Sequence, residues 1–268
     1  MDTCAKGLKM VFPVGDDNSD RRLFPYVTIA LLVANVFVFV VLQKMGADEN
    51  FTLAYCQVPA EILSGRDVIT EPSVREIAIQ GQLTEVTVPG LRETPIPVWL
   101  TLLTAIFMHG SIMHLGGNMW FLWIFGDNVE DDMGHVRYLL FYLATGIIAS
   151  LAFVAFNTQG EAALTPCLGA SGAISGVLGA YLVLHPHRRV SVILLRLMVD
   201  VPGYVAVGIW FLFQVVSGVF DSNGGGGGVA YSAHVAGFVA GMILAKPMSF
   251  SDVREEADPL VVLRRRVP

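Results

Sequence analysis

Six apolar stretches dominate this 268-residue chain: roughly Pro25–Leu42, Ile112–Gly126, Tyr138–Phe156, Leu168–Leu184, Val201–Phe220 and Val229–Ala245. A run of about 20 apolar residues is long enough to cross a bilayer as a helix. A helix satisfies its own backbone hydrogen bonds where no water can, so such runs have few other folds open to them. Composition agrees: 54% of residues are hydrophobic and only 15% charged, with a mean hydropathy of +0.60, whereas a soluble domain carries about 25% charged residues. The expected fold is therefore an all-α, polytopic bundle of six membrane helices. The expected layout is a tail at 1–24, a membrane domain at 25–246 and a second tail at 247–268. The polar, acid-containing first 24 residues do not read as a cleavable signal peptide. A net charge of −6 offers no footprint for nucleic acid.

The basic residues orient the path. Lys6, Lys9, Arg21 and Arg22 precede the first run, and Arg137 follows the second. Arg188, Arg189 and Arg196 follow the fourth, and Lys246, Arg254 and Arg264–Arg266 follow the sixth. These thirteen of the seventeen basic residues fall on one side of a six-span path; Arg66, Arg75 and Arg92 fall across it, and Lys44 stands at a border. The positive-inside rule puts that side, and both termini, in the cytoplasm; a plasma-membrane location is expected. The acidic segment 46–97 lies outside.

Polar side chains within a span are costly and mark function. The candidates are His114 and Asn118 in the second run, Ser171 and Ser175 in the fourth, and His234 in the sixth. At about 1.5 Å per residue, His114, Ser171 and His234 each stand roughly 18–21 Å above the inner markers Asp127, His185 and Lys246. Three polar groups from three spans thus share one depth. A serine hydroxyl becomes a nucleophile when histidine takes its proton, which His234 can do for Ser171. His114 and Asn118, four residues apart, share a helical face and can donate to an oxyanion. The backbone N–H of Ser171, at the start of its helix, lacks an intrahelical acceptor and can do the same. The N–H of Ser175, one turn deeper, is committed.

Each feature has a plainer reading. Gly172 and Gly176 fit close helix packing, as do Gly237 and Gly241. An isolated histidine in a span is usually a packing residue, and His109 sits at a helix entrance. The coincidence of depth and chemistry outweighs the separate readings.

Four segments carry a family resemblance. "HGSIMHLGGN" supplies His109, His114 and Asn118 in an H-x4-H-x3-N pattern. "GDNVEDDMGHVRYLLFY" follows the second run, "GASGAISG" holds Gly-x-Ser-Gly around Gly169, Ser171 and Gly172, and "AHVAGFVAG" holds Ala-His-x-x-Gly-x-x-x-Gly around His234, Gly237 and Gly241. In this order the chain resembles the rhomboid intramembrane serine proteases. The resemblance implies an endopeptidase with a Ser171–His234 dyad and no acid, cleaving transmembrane protein substrates near their outer ends. It also implies an oxyanion site at His114, Asn118 and Ser171, with structural support from His109, Gly169, Gly172, Gly237 and Gly241. It implies no metal and no cofactor; the partners are membrane substrates and the bilayer, with no oligomeric state indicated. Two departures stand out. Ser175 occupies a position that is often aromatic in the family and packs there on the catalytic imidazole. The first outer loop has no Trp-Arg pair.

Rival chemistries fit less well. No HExxH zinc string occurs, no pair of aspartates lies in the spans, and no charged coupling group or broken repeat suggests a transporter. A non-catalytic binder of client helices is the remaining alternative. Cys56 and Cys167 both fall on the outer side and read as free thiols, with a bridge as the alternative. Gly224–Gly228, just before the sixth run, reads as a spacer or as a lid over the site.

Overall fold

The computed structural model describes residues 12–79, 82–194, 197–221 and 230–250. The fold is mostly helical. Helices occupy the apolar runs: α1 (Tyr26–Phe37), α2 (Ile112–Met133), α3 (His135–Phe156), α4 (Ser171–Leu184), α5 (Gly203–Asp221) and α6 (Tyr231–Met248). Among the described helices, α3 alone is long and apolar enough to cross a membrane by itself. The stretch Val98–Phe107 with α2 passes the same test as a pair bent by 78°. Tyr26–Leu42, α4 and the Gly203–Val216 part of α5 are apolar but shorter.

Several helix ends have a visible cause. Asp131 Oδ1 accepts from the backbone N–H groups of Arg22 and Leu23, just ahead of α1. Glu130 then caps α1 itself, accepting from Val27 N at 2.9 Å, Thr28 N at 2.8 Å and Thr28 Oγ1 at 2.7 Å. A carboxylate there meets both the unpaired first-turn donors and the positive end of the helix dipole. His135 Nδ1 holds the same carboxylate at 2.6 Å. Ser111 caps α2 by accepting from His114 N. Gly134, at φ +72°, makes the single-residue turn from α2 into α3, a conformation that glycine adopts without a Cβ penalty.

The core gathers on α4. From Gly172 to Tyr181 every residue of this helix is buried, with α2, α3, α5 and α6 around it. Contact with α6 is backbone to backbone. A Cβ on Gly241 would stand 2.6 Å from the carbonyl carbon of Gly176 and 2.7 Å from its Cα. Gly237 faces the carbonyl of Gly172 in the same way, and Gly179 that of Phe238. These small residues let the two backbones touch.

The expectation of an all-α chain needs correction. β1 (Phe12–Asp16), β4 (Arg189–Leu194) and β5 (Leu197–Pro202) form an antiparallel sheet in the order β1-β4-β5. The buried Val190 and Val192 alternate with Arg189 and Ser191, the period-two pattern of a half-buried strand. β1 lies along α2: Trp120 Nε1 donates to Pro13 O at 2.8 Å, and Asn128 Nδ2 to Asp16 Oδ2 at 2.6 Å. At the opposite end of the bundle, 46–97 holds short helices at Glu49–Tyr55 and Pro59–Ser64 and a hairpin, β2 (Ser73–Ile79) with β3 (Gln82–Val88), in register from Ser73↔Val88 to Ile79↔Gln82. Both sheets lie outside the apolar runs except for the first two residues of the fifth, Val201 and Pro202, which belong to β5. The fourth run, read as Leu168–Leu184, becomes helical only at Ser171.

Candidate active site

α4 begins at Ser171, and α6 passes directly beside that end. Ser171 Oγ and His234 Nε2 are 2.7 Å apart. Both residues are half-buried. The glycine contacts between α4 and α6 set this distance, because any Cβ there would part the helices.

The chain reaches Ser171 through a strained approach. Gly169 has φ +126°, a region L side chains rarely enter. A Cβ on it would sit 2.8 Å from the His114 ring. Glycine at 169 therefore serves twice: it makes the turn, and it lets the imidazole of α2 close on the chain next to Ser171. Gly169 N donates to Ala105 O at 2.8 Å, and Gln57 and Cys167 exchange backbone hydrogen bonds at 3.0 and 2.8 Å. The segment before α4 is thus pinned to the 46–97 segment and to Ala105. Cys56 and Cys167 are both free thiols, and burial pushes the Cys56 thiol up to about 12.

His109, His114 and Asn118 form one cluster. Asn118 Nδ2 lies 2.9 Å from Nε2 of the buried His109, and the His109 and His114 rings meet edge-on at 5.1 Å. Gln43 holds the backbone of His109 from both sides, its Oε1 accepting from His109 N and its Nε2 donating to His109 O, each at 2.9 Å. His109 lies behind Asn118, and His114 faces the Ser171 side. Ser175 is buried, and its Oγ donates to Ser171 O at 2.6 Å, the back-bonding of a helical serine. Gly224–Gly228 lie outside the described residues.

With Ser175 at its position, the aromatic rings near His234 come from other positions. Trp210 of α5 stands 6.5 Å from the His234 ring, and Tyr231 meets it edge-on at 6.3 Å. The residue overlooked in the sequence is Gln214. Its Oε1 lies 2.8 Å from His234 Nδ1, and the side chain is buried. The signal was available: Gln214 is an amide inside the apolar run "WFLFQVV", and polar residues in such runs are functional candidates.

A family model for the rhomboid domain matches residues 97–249, the stretch that holds every one of these groups except Gln43, Cys56 and Gln57. This chain belongs to the rhomboid family. The rhomboid relatives include "Rhomboid protease GluP" of Bacillus subtilis (strain 168), 36% identical over 149 residues, which are 56% of this chain and 27% of that protein. "Rhomboid protein 1, mitochondrial" of Saccharomyces cerevisiae is 31% identical over 148 residues, 54% of this chain and 40% of that one. "Presenilin-associated rhomboid-like protein A, mitochondrial" of Danio rerio is 33% identical over 96 residues, 36% and 25% of the two chains. The matched part of this rhomboid thus spans between about a quarter and two-fifths of these relatives' length. Membership makes it an integral membrane protein. The expected plasma-membrane location gains no support, since two of these three relatives are named as mitochondrial.

Proposed function

We propose that this rhomboid is a serine endopeptidase that cuts transmembrane protein substrates near the outer face of the membrane. The observation that carries the reading is the 2.7 Å pair of Ser171 Oγ and His234 Nε2. At that distance the imidazole takes the hydroxyl proton as Oγ attacks the scissile carbonyl. The negative charge that develops on the carbonyl oxygen meets the Ser171 N–H, which as the first helical N–H has no acceptor within α4. His114 and Asn118 complete the donor set. His234 then passes its proton to the leaving amine, and a water molecule activated by the same imidazole hydrolyses the acyl ester on Ser171.

The surrounding layout follows. α1 to α6 are read as six spans forming a membrane domain over 25–246, with 1–24 and 247–268 in the cytoplasm. α4 is short because its outer end stops below the outer surface, and this leaves Ser171 within reach of water from that side.

The test uses purified protein in detergent or proteoliposomes. Wild-type protein should take a serine-directed fluorophosphonate and cleave a transmembrane substrate. Folded Ser171→Ala and His234→Ala should do neither. A folded wild-type protein that never labels and never cleaves, yet captures substrate helices, would instead make it a client-binding protein.

A further inference from the structure

Resting on that reading, we propose that Gln214 is a positioning residue, the third member of a Ser171–His234–Gln214 relay in which an amide stands where soluble serine hydrolases carry a carboxylate. The two ring nitrogens of His234 face opposite partners: Nε2 meets Ser171 Oγ at 2.7 Å and Nδ1 meets Gln214 Oε1 at 2.8 Å. An amide oxygen only accepts. With the amide oriented oxygen-first, Nδ1 carries the ring proton, and Nε2 is left with the lone pair that accepts from the serine. Gln214 selects the one tautomer that can act as base. In the Ser-His-Asp hydrolases an amide that presents its NH2 to Nδ1 fixes the opposite tautomer and costs about 10⁴-fold in turnover, so it is the oxygen-first orientation of Gln214 that matters.

The surroundings explain why an amide suffices. Position 214 lies in an apolar helix, where an ionised carboxylate would carry a large desolvation cost. A glutamine supplies the acceptor without the charge. α5 is docked firmly enough to hold it: Phe211 stacks on Phe238 of α6 at 4.2 Å and 18°, and Trp210, one turn before Gln214, lies 6.2 Å from the same ring. Among the described side chains, the other polar groups facing His234 are Ser171 from α4, His114 from α2 and Tyr231 from its own helix. None of these is a carboxylate, and Gln214 is the described partner that orients the imidazole from the Nδ1 side.

The experiment compares Gln214→Met, Gln214→Ala and Gln214→Glu, measuring kcat and KM for a transmembrane substrate and the rate of fluorophosphonate labelling from pH 5 to 9. Met keeps the bulk without the acceptor, and Glu keeps the acceptor. Met and Ala should lower kcat at least 30-fold with KM within twofold of wild type. Glu should stay within about tenfold of wild type while moving the acid limb of the rate profile up by about one pH unit or more, since a carboxylate beside an imidazole favours its protonated form. Wild-type kcat in Met and Ala overturns the inference. So does a folded Glu variant as impaired as Met with an unmoved acid limb, which marks a packing role. In either case inactive Ser171→Ala and His234→Ala leave the proposed function standing. Labelling or cleavage that survives in those two variants removes the function itself.

Discussion

Gly241→Ala tests the contact that sets the site's geometry. The new Cβ would stand 2.6 Å from the carbonyl carbon of Gly176. Real Cβ contacts are seldom closer than 3.4 Å, and backbone cannot swing aside as a side chain can. α6 must therefore move from α4 by about 1 Å, the shortfall against close-packed contact distances. Carried along the helix to His234, that movement opens the 2.7 Å Ser171–His234 pair to about 3.5 Å, beyond a hydrogen bond. A misplacement of this size costs about 10²-fold in rate, and overpacking costs about 1–3 kcal/mol in stability. Fluorophosphonate labelling, substrate cleavage and thermal unfolding measure the three effects on one preparation. Gly208→Ala is the control: nothing lies within 4 Å of its Cβ position, so it should be neutral or gain up to about 1 kcal/mol of helix propensity. Wild-type turnover and an unchanged unfolding midpoint in Gly241→Ala would refute the claim that the backbone contact sets the catalytic distance.

Other substitutions probe separate parts of the molecule. Glu130→Ala leaves the donors of Val27, Thr28 and His135 without their buried partner and should lower stability by about 3 kcal/mol, read as a fall in the unfolding midpoint that Glu130→Gln partly restores. Asn118→Ala should slow turnover by up to about 10²–10³-fold, the scale of one oxyanion donor, while His109→Ala should act through Asn118 and slow kcat less. Ser175→Ala, whose hydroxyl serves only its own helix, should keep most activity in the same assay. Glu61 in the 46–97 segment is held up at about 7 by burial, with Asp67 adding to the rise. Because its folded value lies above the unfolded one, the loop should lose stability as pH climbs from about 4.5 to 7 and keep that cost above 7. Glu61→Gln should flatten this slope in amide hydrogen exchange of residues 59–68.

What could be read from the sequence divides by range. Helix positions followed from apolar runs because each helix satisfies its own backbone. Ser171, His234, His114 and Asn118 stood out as polar exceptions within those runs. The β1–β4 pairing did not, because a strand is specified by a partner and Phe12 finds Ile193 across most of the chain. The alternation at Val190 and Val192 was present but sat among arginines in what read as a loop. The outer end of α4 was misplaced because Leu168 is apolar, although the turn at Gly169 already precedes the helix. Gln214 was hidden by the aromatic residues around it. Its partner could be recognised only once α5 and α6 were side by side.

The pairing of β1 with β4 also sets an order of assembly during synthesis. β1 leaves the ribosome well before its partner, which follows roughly 180 residues later, about 10–40 s at 5–20 residues per second. α1 waits less long for its cap, since Glu130 follows it by roughly 100 residues, about 5–20 s. For that interval β1 has no sheet to join. A nascent chain arrested before Arg189 should carry β1 open to protease, and one arrested beyond Tyr204 should carry it protected. β1 is thus made before every other described element yet finds its sheet only after α4 is complete.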